Sequence, residues 1–260
     1  MKIATVSLNQ FWEDKHKNLD LCTKYIQLAS SKNTDLIIFP EMTLTGFSNN
    51  IGSTAENVKG SETIKSFSTL AKRFNVAIVF GVVEKNQEKA LNKAVFVDKF
   101  GNILGDYSKI HPFTFANEDE FFNAGTKLCI VDFYNSKIGL TVCYDLRFPE
   151  LYCSLASKCD IVVNIANWPL KRVDHWNTLL KARAIENQIF VIGVNRIGLD
   201  GNGLEYIESS KIFNANGEEL KSEKYENMKI YDLDIIWTKD FRSQFDTVSD
   251  RKVKFYKEIL

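Results

Sequence analysis

Residues 137–150 read KIGLTVCYDLRFPE, and this stretch decides how the rest of the chain is interpreted. Its apolar part, residues 138–142, predicts a buried strand. Cys143 follows at the C-terminal end of that strand, and Pro149 is placed to open a helix from about residue 150 to 158. A thiol at a strand-to-helix turn is held rigidly beside backbone N–H groups. That arrangement suits a nucleophile with an oxyanion site.

Cys143 also has a simpler interpretation. Free cysteine is among the most buried residue types, and a cysteine beside valine and leucine is commonly a packed core residue. This stretch alone therefore does not separate a nucleophile from a core thiol. The choice between the two depends on the other candidate groups in the chain.

Length and composition exclude several classes of protein. At 260 residues the chain can bury a substantial core, and we expect one α/β domain over residues 1–260. Lys plus Arg and Asp plus Glu number 33 each, so no overall charge favours nucleic acid or an anionic membrane. The five unevenly spaced cysteines form no CxxC pair or zinc-ligand cluster. No stretch has the length of a membrane span, and we expect a cytoplasmic protein.

Short apolar runs alternate with amphipathic stretches, which predicts an α/β fold with a βαβ opening. The predicted strands lie at 2–8, 35–39, 76–83, 94–97, 103–107, 128–133, 138–142, 160–165, 189–195, 210–213 and 230–233. The predicted helices lie at 19–29, 61–74, 150–158 and 173–188, and Ser61 is a candidate cap. After Trp237 the chain is polar and aromatic without clear periodicity, so we expect it to wrap a surface or a partner.

The four prolines mark the ends of predicted strands. Pro40, Pro112, Pro149 and Pro169 each lie within six residues of a group that could do chemistry. Proline stops a strand and stiffens the exit from it. Because sites in α/β sheets lie at the C-terminal ends of strands, we expect these ends to converge on one cleft.

Three charged residues are candidates for chemistry in that cleft. Glu41, in FPEMTLTGF, follows an apolar strand and could move protons, although a salt-bridged carboxylate is a common alternative. Lys109, in YSKIHPF, could place a cation near the thiol and favour thiolate, or could be a solvated lysine. Glu118 lies in an acidic segment that also suits a solvated loop. If Cys143 is a nucleophile, a carboxylate and a lysine must activate it.

Three segments resemble the catalytic motifs of the nitrilase superfamily of carbon–nitrogen hydrolases, in the same order. They are FPEMTLTG around Glu41, YSKIHPF around Lys109 and GLTVCYDLRFPE around Cys143. Residues 167–203 are similar to the omega-amidase-like branch, and the resemblance covers nearly the whole chain. There are two departures: Pro112 replaces a more usual leucine, and IESSKIF (207–213) lacks the glycine usually seen there.

The resemblance implies a four-layer αββα sandwich and an active site that needs no metal or organic cofactor. It implies that Glu41 is the general base, that Cys143 is the nucleophile and that Lys109 stabilises the oxyanion. The backbone N–H of Tyr144 would assist Lys109. Glu118, nine residues after the lysine, matches a second glutamate of the family and would orient Lys109 and the substrate.

The same resemblance implies a small-molecule amide substrate, such as 2-oxoglutaramate or succinamate. Arg172 could then bind the remote carboxylate and Trp168 could form an apolar wall, although a solvated arginine and a core tryptophan are the alternatives. We expect Arg147 to brace its turn by an ion pair with Glu150.

The resemblance also implies a homodimer, with a C-terminal tail of residues 237–260 that braces the interface or covers the surface. Two other functions remain open at this point. One is a nitrilase or carbamoylase of different specificity, and the other is a non-catalytic binding protein with a redox-sensing thiol.

Overall fold

A computed structural model describes residues 1–259. Strands and helices alternate through most of the chain. In chain order they are β1 (Lys2–Val6), α1 (Lys15–Ser31), β2 (Leu36–Ile38), α2 (Ile51–Thr54), α3 (Glu62–Phe74), β3 (Ala77–Asn86), β4 (Lys89–Val97), β5 (Ile103–Ser108), α4 (Glu118–Phe121), β6 (Ile130–Phe133), β7 (Ser136–Val142), α5 (Pro149–Ala156), β8 (Ile161–Ala166), α6 (Val173–Asn187), β9 (Phe190–Asn195), β10 (Gly198–Leu199), β11 (Glu205–Tyr206), β12 (Lys211–Phe213), β13 (Glu223–Tyr225), β14 (Met228–Asp232), α7 (Ile235–Gln244) and α8 (Val253–Ile259).

Most strands belong to two sheets that face each other. The first has seven strands in the order β13-β14-β1-β2-β3-β4-β5, and the second has five in the order β12-β9-β8-β7-β6. In the first sheet β1, β2 and β3 are parallel neighbours, and in the second β7, β8 and β9 are. Parallel neighbours end at the same edge, so the residues after β7 and β8 are brought side by side.

Three hydrophobic clusters show that the layers are helix, sheet, sheet, helix. The central cluster contains side chains of both sheets, such as Phe96 and Leu140. A second cluster packs α1 and α3, through residues such as Ile26 and Phe67, on the outer face of the first sheet. A third packs α5 and α6 on the second sheet, with Trp176 at its centre. The αββα sandwich expected from the resemblance is confirmed.

Most predicted elements are present with small changes of boundary. The capped helix α3 is confirmed, since Ser61 Oγ accepts the Ile64 N–H at 3.1 Å, and Pro149 occupies the first turn of α5. The hairpin predicted at 94–97 and 103–107 is longer, because β4 begins at Lys89 and pairs with β3 along its whole length. The polar residues at that end of β4 carry no strand pattern.

The tail contains two helices that its sequence pattern did not predict. Trp237 of α7 packs against the central cluster. Arg242 donates hydrogen bonds to the backbone oxygens of Ala156, Cys159, Asn187 and Gln188, at 2.8–3.3 Å. A guanidinium at the C-terminal ends of α5 and α6 satisfies their free carbonyl groups. The tail therefore lies on the subunit's own surface.

Candidate active site

Four of the predicted site residues meet between the two sheets. Glu41 follows β2, Lys109 follows β5, Glu118 opens α4 and Cys143 follows β7. Lys109 Nζ lies 3.1 Å from Glu41 Oε1 and 2.8 Å from Glu118 Oε2, and all three side chains are almost fully buried. Glu118, which the sequence also allowed in a solvated loop, is thus an internal carboxylate.

Lys109 is held as an ammonium by its two carboxylates. Burial alone would lower the pKa of Lys109, but the charges of Glu118 and Glu41 outweigh it and raise that pKa above its ordinary value. A compact ammonium with two carboxylate partners has a fixed position, which is what a donor aimed at a developing negative charge requires.

The surroundings of Cys143 act mainly to raise the pKa of its thiol, whereas the sequence suggested that Lys109 could favour thiolate. Burial raises its pKa well above the usual range, the negative charge of Glu41 raises it further, and Lys109 only partly opposes them. The thiol has to lose its proton to a base during reaction. The buried Glu41 carboxylate is the predicted candidate for this base.

Cys143 lies in a backbone conformation that L-residues seldom adopt. Its φ is +48°, in the left-handed region, at the first residue of a 3-10 turn. The Asp145 carboxylate accepts the Val142 N–H at 3.0 Å and closes this turn. It also accepts the Tyr107 hydroxyl at 2.8 Å and is 2.8 Å from His111 Nδ1. Strain of this kind is commonly found at functional sites.

Cys143 and Lys109 line a pocket with about 480 Å³ of empty space. Five of its lining residues are aromatic: Phe47, Phe113, Tyr144, Trp168 and Tyr206. Arg147 and Arg172 are the other two cations of the lining, and none of the lining residues in the described part of the chain is a carboxylate. The pocket therefore favours a small ligand with an apolar middle and a negative charge.

Both predicted substrate-binding residues reach this pocket. Trp168 is 3% exposed, so it is both core and pocket wall, and its Nε1 donates to the Arg172 carbonyl at 2.7 Å. The Arg172 guanidinium lies 5.3 Å from the centre of the Phe113 ring. Within residues 1–259 no carboxylate lies within 4.0 Å of the Arg172 side chain. The Arg172 guanidinium is therefore free to pair with an anionic group of a ligand in the pocket.

The expected ion pair between Arg147 and Glu150 is not formed. The Arg147 guanidinium turns to the pocket instead, where it lies 4.8 Å from the Trp168 ring centre and 3.2 Å from His175 Nδ1. The preference of a guanidinium for an aromatic face explains this orientation. Tyr144, whose backbone N–H is the predicted oxyanion donor, also lines the pocket directly after Cys143.

Three asparagines of the site were not among the predicted site residues. Asn92 Nδ2 donates to Glu41 Oε1 at 2.7 Å and to Glu118 Oε1 at 2.9 Å. The Asn167 N–H donates to Glu41 Oε2 at 2.9 Å, and Asn195 Oδ1 accepts the Trp168 N–H at 2.7 Å. Asn167 and Asn195 follow or end parallel strands of the second sheet, so the strand-end argument applied to Cys143 could have found them.

Comparison with known proteins agrees with this geometry. The sequence profile of the carbon–nitrogen hydrolase family matches residues 2–235, about nine tenths of the chain. The chain belongs to the carbon–nitrogen hydrolase family.

Individual members of the family are similar over most of their length. Omega-amidase YafV of Escherichia coli K12 is 34% identical, over 84% of this chain and 83% of its own. A 2-oxoglutaramate amidase of Bacillus subtilis is 31% identical, over 97% and 99%. The crystal structure of XC1258 from Xanthomonas campestris, a CN-hydrolase superfamily protein with an arsenic adduct in its active site, is 30% identical with a TM-score of 0.90 over 97% of each chain. This carbon–nitrogen hydrolase is therefore similar in sequence to the omega-amidases.

Among the helices in residues 1–259, none is both long and apolar enough to cross a membrane. The same part of the carbon–nitrogen hydrolase holds no group of three His, Cys, Asp or Glu side chains that could hold a metal ion.

Proposed function

We propose that the protein hydrolyses the amide of a small dicarboxylate omega-amide, such as succinamate or 2-oxoglutaramate, and releases ammonia. One observation carries the proposal: a thiol, an ammonium and two guanidinium groups line one small aromatic pocket that has no carboxylate in its described lining. The thiol and ammonium suit the amide end of the substrate, and a guanidinium suits the carboxylate end.

The reaction begins when Glu41 takes the thiol proton as Cys143 attacks the carboxamide carbon. Lys109 and the backbone N–H of Tyr144 hold the oxyanion of the tetrahedral intermediate. Glu41 returns its proton to the leaving nitrogen, and ammonia departs from a thioester on Cys143. Glu118 fixes Lys109 throughout, through two contacts of 2.8 and 3.1 Å.

The second half of the reaction hydrolyses the thioester. Glu41, again a carboxylate, deprotonates a water that attacks the thioester carbon, and the oxyanion is held by the same donors. The C–S bond breaks, the thiol regains a proton from Glu41 and the dicarboxylate leaves. Each group returns to its starting state, so turnover needs no other reactant.

The experiment is ammonia release from a panel of omega-amides, uncharged amides, nitriles and carbamoyl amino acids. We expect succinamate or 2-oxoglutaramate to have the highest kcat/KM. A nitrile or a carbamoyl amino acid as the best substrate would replace the proposal with a nitrilase or a carbamoylase. No ammonia from any of them, together with an oxidation-sensitive thiol, would support the non-catalytic binding protein.

We also propose that the chain forms a homodimer through its tail. Phe245, Phe255 and Ile259 are exposed by 55–65%, whereas Trp237 and Phe241 stack against each other on the subunit's own surface. A second copy would cover the exposed side chains. Light scattering at micromolar concentration tests this, because a monomer before and after tail deletion contradicts it.

The five free cysteines support a reducing compartment such as the cytoplasm.

A further inference from the structure

Asn92 completes a closed ring of hydrogen bonds with three of the proposed catalytic groups. Its Nδ2 donates to Glu41 Oε1 at 2.7 Å and to Glu118 Oε1 at 2.9 Å. Lys109 Nζ donates to the same two oxygens, each at 3.1 Å. The ring therefore joins Asn92, Glu41, Lys109 and Glu118 through two shared oxygens, and Asn92 is 1% exposed.

The orientation of the Asn92 amide is fixed by charge. Rotation of the amide by 180° would place Oδ1 against two carboxylate oxygens, all of which accept hydrogen bonds. The amide keeps its nitrogen toward them although Oδ1 then has no hydrogen-bond partner among the described residues. Both oxygens that face Asn92 consequently act as acceptors.

Each carboxylate oxygen has about two lone pairs, so the acceptor sites of Glu41 can be counted. Asn92 and Lys109 occupy both sites of Oε1. Oε2 accepts the Asn167 N–H at 2.9 Å, and the Asn167 side-chain amide is 3.5 Å from Oε2 while it donates to the Glu41 carbonyl at 2.7 Å. This second contact of Oε2 is longer than either contact of Oε1, so Oε2 is the less fully occupied oxygen and the one with more room for a proton.

Asn167 also contacts both Glu41 and the thiol. The Asn167 N–H contacts Glu41 Oε2, and the Asn167 carbonyl oxygen lies 4.0 Å from Cys143 Sγ. One residue therefore borders both Oε2 and the sulfur.

We propose that Asn92 is a positioning residue that, with Lys109, fills Glu41 Oε1 and leaves Oε2 to take the proton of Cys143. The inference rests on the proposed function. In this step the S–H bond breaks, an Oε2–H bond forms and the sulfur bonds to the carboxamide carbon; the departing ammonia later removes the proton from Oε2. Asn92 does not line the pocket, so it acts through Glu41 and Glu118 rather than on the substrate.

Loss of the Asn92 amide should change where the carboxylates titrate. In Asn92→Leu, Glu41 Oε1 and Glu118 Oε1 each lose a donor that stabilises the charged form, while Lys109 and Cys143 still face them. The acid limb of the pH profile of kcat/KM should then move up by about one pH unit, because a carboxylate with fewer donors is protonated more readily. Asn92→Asp keeps the shape but adds a third acid, and it should move the limb in the same direction.

Asn164 provides a matched control. It is also a fully buried asparagine on a strand, its Nδ2 donates to Thr141 Oγ1 and the Tyr152 hydroxyl, and its Oδ1 has no partner among the described residues. Its partners are neutral hydroxyl groups rather than the carboxylates of the site. Asn164→Leu should lose similar stability in thermal unfolding and leave the acid limb where it is.

A second measurement does not depend on turnover. In the Cys143→Ala background, infrared spectra recorded against pH report the carbonyl band of protonated buried carboxyl groups. Asn92→Leu and Asn92→Asp should each make such a band appear at a higher pH than in Cys143→Ala alone, and Asn164→Leu should not. Unchanged titration in both Asn92 variants, folded by circular dichroism, would overturn the inference, whereas absence of amide hydrolysis by the unmodified protein would overturn only the proposed function.

Discussion

The turn that presents Glu41 and the turn that presents Cys143 share one backbone feature but have different supports. Each follows a buried strand, and each contains a non-glycine residue at positive φ, Met42 at 45° and Cys143 at 48°. Such a conformation costs about 1–3 kcal/mol, so surrounding groups must hold it in place.

The Glu41 turn is held partly by its own Thr43, whose hydroxyl donates to the Pro40 carbonyl at 2.7 Å, and partly by residues outside its own segment. Gln10 Nε2 donates to three successive carbonyls, those of Glu41, Met42 and Thr43, at 2.9–3.1 Å. Gly81 lies against the turn from β3, and its N–H donates to Thr43 Oγ1 at 2.8 Å. A neutral amide and a glycine place no further charge beside the buried carboxylate.

The Cys143 turn is held by a residue of its own segment. Asp145, two residues later, accepts the Val142 N–H and joins Tyr107 and His111 to the turn. The motif around the nucleophile thus contains its support, while the motif around Glu41 depends on a strand and a loop far away in the sequence. Local sequence patterns consequently predict the Cys143 turn more completely than the Glu41 turn.

The largest effect should come from removal of the nucleophile. Cys143→Ala should keep the fold and lower kcat by at least about 10⁴-fold, because no thioester can form and a small residue replaces a small one. Unmodified enzyme quenched during turnover should carry an acyl adduct on Cys143 by mass spectrometry. An adduct on one of the other four cysteines, or an active alanine variant, would remove Cys143 from the proposed chemistry.

The lysine that joins the two turns comes next. Lys109→Arg should lower kcat about 10³-fold, nearly as much as Lys109→Ala, because a broad planar guanidinium does not fit between Glu41 and Glu118 beside a tetrahedral centre. Steady-state kinetics of both variants measures this. Near-normal activity of the arginine variant would mean that only the charge of Lys109 is needed, and not its shape.

The support of the Glu41 turn can be broken at Gly81. A Cβ at this position would lie 2.2 Å from the Met42 nitrogen and 2.8 Å from the Glu41 carbonyl carbon, both backbone atoms that cannot move alone. Gly81→Ala should therefore destabilise the protein by about 3 kcal/mol and displace Glu41. Urea unfolding measures the change. Gly52→Ala is the control, because its Cβ would meet only the end of Asn50 at 3.7 Å, and equal stability of the two variants would contradict the clash.

The sequence predicted the functional groups better than their supports. Glu41 and Cys143 follow apolar runs and Lys109 follows a predicted strand, so strand ends and local motifs indicate them. Gln10 and Asn92 contact the site only because strands distant in sequence pair beside it, and a single polar residue carries no periodicity that reveals this. Likewise, the raised pKa of the Cys143 thiol could not be read locally, since it depends on burial and on the charges of Glu41, Glu118 and Lys109 from other elements.

The influence of the Glu41 turn on the Cys143 turn can be measured through the thiol. Glu41→Gln removes a negative charge that, after burial, raises the pKa of Cys143, so that pKa should fall. Thiolate forms above the pKa, and alkylation of Cys143 by iodoacetamide should therefore reach its midpoint at a lower pH. Peptide mass spectrometry follows this cysteine alone. Glu62→Gln, on the exposed surface of α3, should leave the midpoint unchanged, and an upward shift in Glu41→Gln would contradict the coupling.

The smallest effect concerns the far end of the pocket, beyond both turns. Succinamate and butyramide have the same chain, but only succinamate ends in a carboxylate, so a cation that binds this group should affect only succinamate. We expect Arg172→Ala to raise the KM for succinamate about fivefold, since a partly exposed charge pair contributes at most about 1 kcal/mol. Butyramide hydrolysis should stay within twofold, because the apolar wall is unchanged.

Arg147→Ala, measured in parallel, shows whether the second guanidinium shares the carboxylate. Equal losses on both substrates would indicate general damage to the pocket, and no loss on either would leave the carboxylate to Arg147.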